Sequence, residues 1–186
     1  MKILVLSGSL RAGSYNTALA RAAVALAPEG VDVNLFDELG SLPLYDEDAD
    51  QADVPEPEAV ARLRSRIDGA DALLIVTPEH NGSITSVLKN AIDWASARHR
   101  GSWLRNKTVA IAGVTTGQYG AIWAQQDLRR ILGIVGARVV DGDFPVSRAQ
   151  DVFDADGRLA SPLLEDRLRN HLVHLVAEAA PVSLAA

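Results

Sequence analysis

Residues 7–16 read SGSLRAGSYN, an arginine set among small hydroxylic residues between the apolar run ILVLS (3–7) and a segment of helical period, TALARAAVAL. A Gly/Ser loop running into a helix leaves backbone N–H groups free and carries a partial positive charge, and both favour an anion. Ser9, Ser14 and the amide of Asn16 add neutral donors. Arg11 adds a full charge on a fork that matches phosphate geometry. Capping the helix would need only Ser14 or Asn16 and no arginine. The loop therefore reads as a site for a partly exposed phosphate. Neither the P-loop pattern nor the G-x-G-x-x-G spacing is present.

Two other loops have unusual chemistry. In TPEHNGSITSVLKNAIDWAS (77–96), Pro78 removes a donor and Gly82 permits an uncommon backbone angle. Asn81 and Ser83 place polar groups just before a helix expected from about Ile84, so the segment suits the edge of a flat polar heterocycle. TTGQYG (115–120) is a second close-approach loop, built on Thr115, Thr116 and Gly117. Ligands of open parallel sheets bind beyond the carboxyl ends of the strands. Three such loops at one edge imply a pocket for an extended, phosphorylated ligand with an aromatic end.

The elements that must position these loops alternate. ILVLS (3–7), VDVNLF (31–36), ALLIVT (72–77), TVAIAGV (108–114) and ARVV (137–140) read as strands. Three are almost continuously apolar, as strands covered on both faces are. Between them lie helical faces: Leu19, Ala22, Ala23 and Leu26; Val60, Leu63 and Ile67; Ile84, Leu88, Ala91, Ile92 and Ala95. Two more follow, Leu128, Ile131, Leu132 and Val135, then Leu164, Leu168, Leu172, Leu175 and Val176. Five βα repeats predict a three-layer α/β fold with right-handed crossovers, read as one domain over 1–186.

The acidic segment 44–57 reads as a solvated loop. DVFDADGRL (151–159) suggests a calcium loop, but its first and twelfth positions would be Val152 and Leu163, so it reads as a turn. A formal charge of −6 speaks against nucleic acid. The absence of cysteine removes thiolate metal sites and cysteine redox couples, so electron transfer would need a bound cofactor. The opening MKILVLSGS is a poor signal peptide and no run approaches a membrane span, so a cytoplasmic protein with no membrane partner is expected.

GSLRAGSYNTALA, PEHNGSITSVLKNAIDWAS, and TTG followed by AQQDLRRIL resemble, in order, segments of the NAD(P)H-dependent FMN reductase family, and FDADGRL is similar to its C-terminal stretch. The resemblance implies a flavodoxin-like sheet of order 2-1-3-4-5 with bound FMN and NADPH or NADH as co-substrate. It also implies homodimers or homotetramers, and a quinone, azo compound, metal oxyanion or free flavin as small-molecule electron acceptor. By carry-over, Ser9, Arg11, Ser14 and Asn16 would hold the FMN phosphate with Tyr15 beside it. Pro78, Glu79, His80, Asn81 and Gly82 would line the ring and ribityl chain, and Thr115, Thr116 and Gly117 would close the other side.

The chain departs from the family pattern at His80, usually tyrosine, at Thr85, commonly proline, and at Ser86, often glycine. His80 either donates a proton during acceptor reduction or only fills the tyrosine's space. No side chain is assigned as catalytic acid or base, and no metal ligands are assigned. Arg98, His99 and Arg100 would meet the 2′-phosphate of NADPH or simply form a cationic helix end. Trp94, Trp103 and Trp123 read as packing or subunit-contact residues. Ping-pong turnover is expected, because both substrates need the same flavin face; a flavodoxin-type carrier or a flavin-binding sensor is the alternative.

Overall fold

Apolar residues at successive positions along the central strands bury two opposite faces, and helices cover both. The computed structural model describes residues 1–96 and 101–180. The elements are β1 (Lys2–Ser7), α1 (Tyr15–Ala25), β2 (Asp32–Phe36), α2 (Glu58–Asp68), β3 (Ala72–Thr77) and α3 (Ser86–Ser96). β4 (Thr108–Val114), α4 (Ile122–Ile134), β5 (Arg138–Val139), β6 (Pro145–Val146), α5 (Ala149–Val152) and α6 (Pro162–Ala179) complete them. All pairings are parallel, in the order β2-β1-β3-β4-β5, as expected of the flavodoxin-like fold.

Every residue of β3 and β4 is buried. Ile3, Val5, Leu74, Val76, Ala110 and Ala112 meet α1 and α6 through Leu19, Ala23, Leu168 and Leu172. Leu4, Leu6, Leu73, Ile75, Val109 and Ile111 meet α2, α3 and α4 through Leu63, Ile67, Leu88, Ile92, Leu128 and Leu132. The period of two divides each strand between two cores. Among the described residues no helix is long and apolar enough to cross a membrane.

Three sequence expectations change. The strand expected at 137–140 shortens to β5, which pairs with Thr108 and Val109 at the start of β4, and a further short strand beyond it, β6, pairs with Gly113 and Val114 at the end of β4. The chain swings out between them at Gly142 (φ 89), where Arg129 holds it by donating to the carbonyls of Val140 and Gly142 and to Asp143. The helix after β3 starts at Ser86 rather than Ile84, because the segment before it forms a hairpin described below.

The acidic segment 44–57 is not simply solvated. Asp50 is 1% and Arg64 of α2 2% exposed. Arg64 donates to Asp50, to Glu56 and twice to the carbonyl of Trp94, with its guanidinium over Trp94 and Trp103 at 5.6 and 4.5 Å. A guanidinium taken out of water needs such partners, and here the acidic loop provides them. Segment 151–159 is the expected turn, in which Asp154 Oδ1 accepts from the N–H groups of Asp156 and Arg158.

Candidate functional site

The loop after β1 is fixed at both ends. The Gly8 N–H donates to the Val76 carbonyl at 2.8 Å, and a Cβ on Gly8 would stand only 3.2 Å from Leu88 Cδ2 and 3.3 Å from Pro78 Cδ, so glycine lets the three elements close up. At the far end Ser14 caps α1, its Oγ accepting from the N–H groups of Asn16 (3.2 Å) and Thr17 (3.4 Å). The Ser14 N–H donates to the Arg11 carbonyl, and the Arg11 N–H to Ser9 Oγ. The N–H groups of Ala12, Gly13 and Tyr15 have no acceptor, and Arg11 no carboxylate partner, among the described residues. These groups are what an anion would require.

Asn16 differs from the sequence expectation. Its amide is buried, donates to the Val114 carbonyl and accepts from the Val114 N–H, both at 3.0 Å. It braces α1 against the end of β4, which leaves it one amide hydrogen at most.

The loop after β3 is a tight hairpin. His80 and Ser83 exchange backbone bonds of 3.0 and 3.1 Å across Asn81 (φ 53) and Gly82 (φ 76). Asn-Gly with both residues left-handed is the preferred two-residue turn. Two carboxylates tie this hairpin to α4. Glu79 accepts from the N–H groups of Trp123 (3.1 Å) and Ala124 (3.3 Å), capping a helix whose own cap position, Ala121, has no side chain for it. Asp127 accepts from Ser83 Oγ at 2.5 Å and from Arg130 at 2.7 Å, and these bonds hold its carboxyl below the usual carboxylate range. Buried Thr85 donates to the Gly8 carbonyl (2.7 Å) and accepts from the Leu88 N–H (3.4 Å), joining the first loop to α3.

The loop after β4 is held from inside. Fully buried Gln125 donates to the Gly120 carbonyl and accepts from the Phe144 N–H, each at 2.9 Å. A Cβ on Gly120 would lie 2.7 Å from Val146 N, so only glycine lets this loop rest on β6.

The three loops enclose a cavity of about 510 Å³, within the range of small-molecule sites. Ser9, Arg11, Ser14, Tyr15 and Asn16 line one end, Pro78, Glu79 and His80 another, and Thr115 and Thr116 a third. Asn81, Gly82 and Gly117, expected at the ligand, are not in the lining. Asn81 and Gly82 form the exposed hairpin tip, and the Gly117 carbonyl accepts from the Arg148 N–H. A larger trough of about 700 Å³ follows the outer side of α1 toward residues 154–159; it begins at the same loop, with Ala12 and Gly13 in its lining and Ser14 and Tyr15 common to both.

Sequence reasoning missed Thr85, Gln125 and Asp127 as supports. Nothing in a single sequence marks a buried glutamine as a loop clamp. Trp94 is buried as expected, Trp103 lies over Arg64, and Trp123 stays exposed against Tyr119 with ring centroids 4.8 Å apart. Arg98, His99 and Arg100 lie outside the described residues.

A parallel sheet of order 2-1-3-4-5, with a cavity between the loops that follow β1, β3 and β4, defines a flavodoxin-like protein. A family model, NADPH-dependent FMN reductase, matches residues 1–151, and the chain belongs to that family. It is similar to an NAD(P)H-dependent FMN reductase of Pseudomonas aeruginosa, with 43% identity over 170 residues covering 91% of this chain and 88% of that protein. A 2-hydroxy-1,4-benzoquinone reductase of Burkholderia is 40% identical over 163 residues, 87% of this chain and 86% of that one. Among solved structures, the flavoenzyme NAD(P)H:(acceptor) oxidoreductase FerB of Paracoccus denitrificans superposes with a TM-score of 0.82 and 32% identity, covering 96% of each chain.

Proposed function

We propose that this chain is an NAD(P)H-dependent oxidoreductase that holds FMN in the 510 Å³ cavity and reduces a quinone-type acceptor. The observation that carries the reading is that, among the described residues, Arg11 has no carboxylate partner and the Tyr15 N–H no acceptor, both at the cavity wall, with the free N–H groups of Ala12 and Gly13 in the same loop, a set that suits a phosphate dianion. Ser9 and Ser14 each keep a hydroxyl hydrogen to add. At the other end Glu79 keeps its backbone N–H and carbonyl for a ring edge, with Pro78 and His80 beside it in the lining, and Thr115 and Thr116 face them.

Bound FMN would supply the two-electron chemistry, taking hydride from the nicotinamide and passing electrons to the acceptor. The chain's own part is positioning. Arg11 and the first loop anchor one end; the hairpin, braced by Glu79 and Asp127 on α4, fixes the other; Thr85 keeps the two in register. One open face for both substrates gives ping-pong turnover. Azo compounds, metal oxyanions and free flavins are further candidate acceptors, and a homodimer or homotetramer is the proposed assembly. Anaerobic addition of NADPH to the purified protein should bleach the flavin band at roughly 450 nm. A quinone should then restore it. An unbleached band refutes the reductase reading, and the flavodoxin-type carrier takes its place.

A further inference from the structure

β6 returns the chain to the functional edge of the sheet, and Arg148 stands where it arrives. β6 is registered with the last residues of β4, Pro145 beside Gly113 and Val146 beside Val114, so Ser147 and Arg148 leave the sheet alongside Thr115 and Thr116. The segment is fastened there. Arg148 N–H donates to the Gly117 carbonyl at 3.0 Å, Ala149 N–H to the Thr115 carbonyl at 3.1 Å, and Thr115 N–H to the Val146 carbonyl at 3.0 Å. Gly120 rests against Pro145 and Val146 from the other side.

Arg148 has a left-handed backbone (φ 50), uncommon for a long side chain and costly compared with glycine. Its side chain is exposed and has no carboxylate partner among the described residues. Nearby, Arg129 is engaged with Asp143 and Arg130 with Asp127. Among the described residues, the arginines without a carboxylate partner at the carboxyl ends of the strands are thus Arg11, after β1, and Arg148, after β6. A chain of net charge −6 that must attract a coenzyme bearing several phosphate charges needs a cation beyond the one facing the flavin phosphate.

We propose that Arg148 is the second phosphate-binding cation of this site and that it meets the phosphates of the nicotinamide nucleotide. The proposal rests on the NAD(P)H-dependent reading given above. Arg11 and the free N–H groups already suit the flavin phosphate, which leaves Arg148 for the phosphates that arrive with each turnover.

Arg148→Gly tests it without penalising the fold, since glycine accepts the left-handed backbone. In FMN-loaded enzyme the KM for NADPH should rise about tenfold, the loss of one charge-assisted contact, with FMN content and Tm kept. Arg148→Lys should recover part of the loss. An equal rise for NADH places the contact at the pyrophosphate; a rise confined to NADPH places it at the 2′-phosphate. Unchanged KM for both coenzymes overturns the proposal, as does loss of FMN with KM intact, which would assign Arg148 to the flavin phosphate. Calorimetric binding of 2′-phospho-ADP-ribose to the wild type and Arg148→Gly reads the same contact without turnover. A wild type that does not oxidise NADPH would refute the reductase reading, while this titration would still decide Arg148.

Discussion

Replacing Asn16 by alanine separates a brace from a ligand contact. Its amide satisfies both backbone groups of Val114 at 3.0 Å, in a place where Asn16 is 5% and Val114 2% exposed. Alanine removes two buried hydrogen bonds and leaves an N–H and a carbonyl without partners. At roughly 1–2 kcal/mol for each bond, the loss is about 2–4 kcal/mol. For a chain of this size that lowers Tm by roughly 5–15 °C. The assay is thermal denaturation of the protein stripped of flavin, set beside an FMN titration well below the transition. Asn16→Asp should be worse at neutral pH, because a carboxylate facing the Val114 carbonyl cannot donate. It should recover in part as pH falls and the carboxyl gains a proton. An unchanged Tm in the stripped protein, with weaker FMN binding, would refute the brace and return Asn16 to direct phosphate contact.

Arg11→Ala should weaken FMN binding by about 10- to 100-fold in a fluorescence titration, as expected for a lost charge-assisted phosphate contact. Turnover at saturating FMN should change far less; full FMN retention would remove Arg11 from the phosphate site. His80→Phe should leave the pH–rate profile unchanged if His80 only fills space, and should delete one limb if it donates a proton. His171 on α6 is held near pKa 4 by burial, with its Nε2–H donating to the Ile111 carbonyl and with His174, Arg167 and Arg129 also disfavouring its charge. The unfolded chain therefore binds the extra proton between the ordinary value of 6.5 and about 4, so stability falls as pH drops through that window. The fall should be roughly 2–3 kcal/mol after allowance for partial exposure, read from urea midpoints, and His171→Gln should flatten it.

Much of the fold is written in local pattern. β3 and β4 are apolar but for one terminal threonine each and end up buried without interruption, because a parallel strand covered on both sides has no wet face. β6 was not legible. A two-residue pairing carries no period, and the excursion between β5 and β6 depends on Arg129, which reaches it from α4. Arg64 was equally hidden, since its buried partner Asp50 sits in an acidic run whose composition says solvent.

The sequence by itself determined which loop carries the chemistry for an anion. Serines, glycines and an arginine at a strand-to-helix junction have that chemistry locally, and Asn81-Gly82 contains its own turn. Only the tertiary structure decided which of those polar groups are free to meet a ligand. Asn16 is engaged by Val114, 98 residues away, and Glu79 by Trp123 and Ala124 at the start of a helix 44 residues on. Arg11 has no carboxylate partner among the described residues, and β6 brings Arg148 to the same edge. The physical reason is that a side chain's hydrogen-bonding capacity is a property of its type, while its availability depends on which distant backbone groups the fold leaves in need of partners.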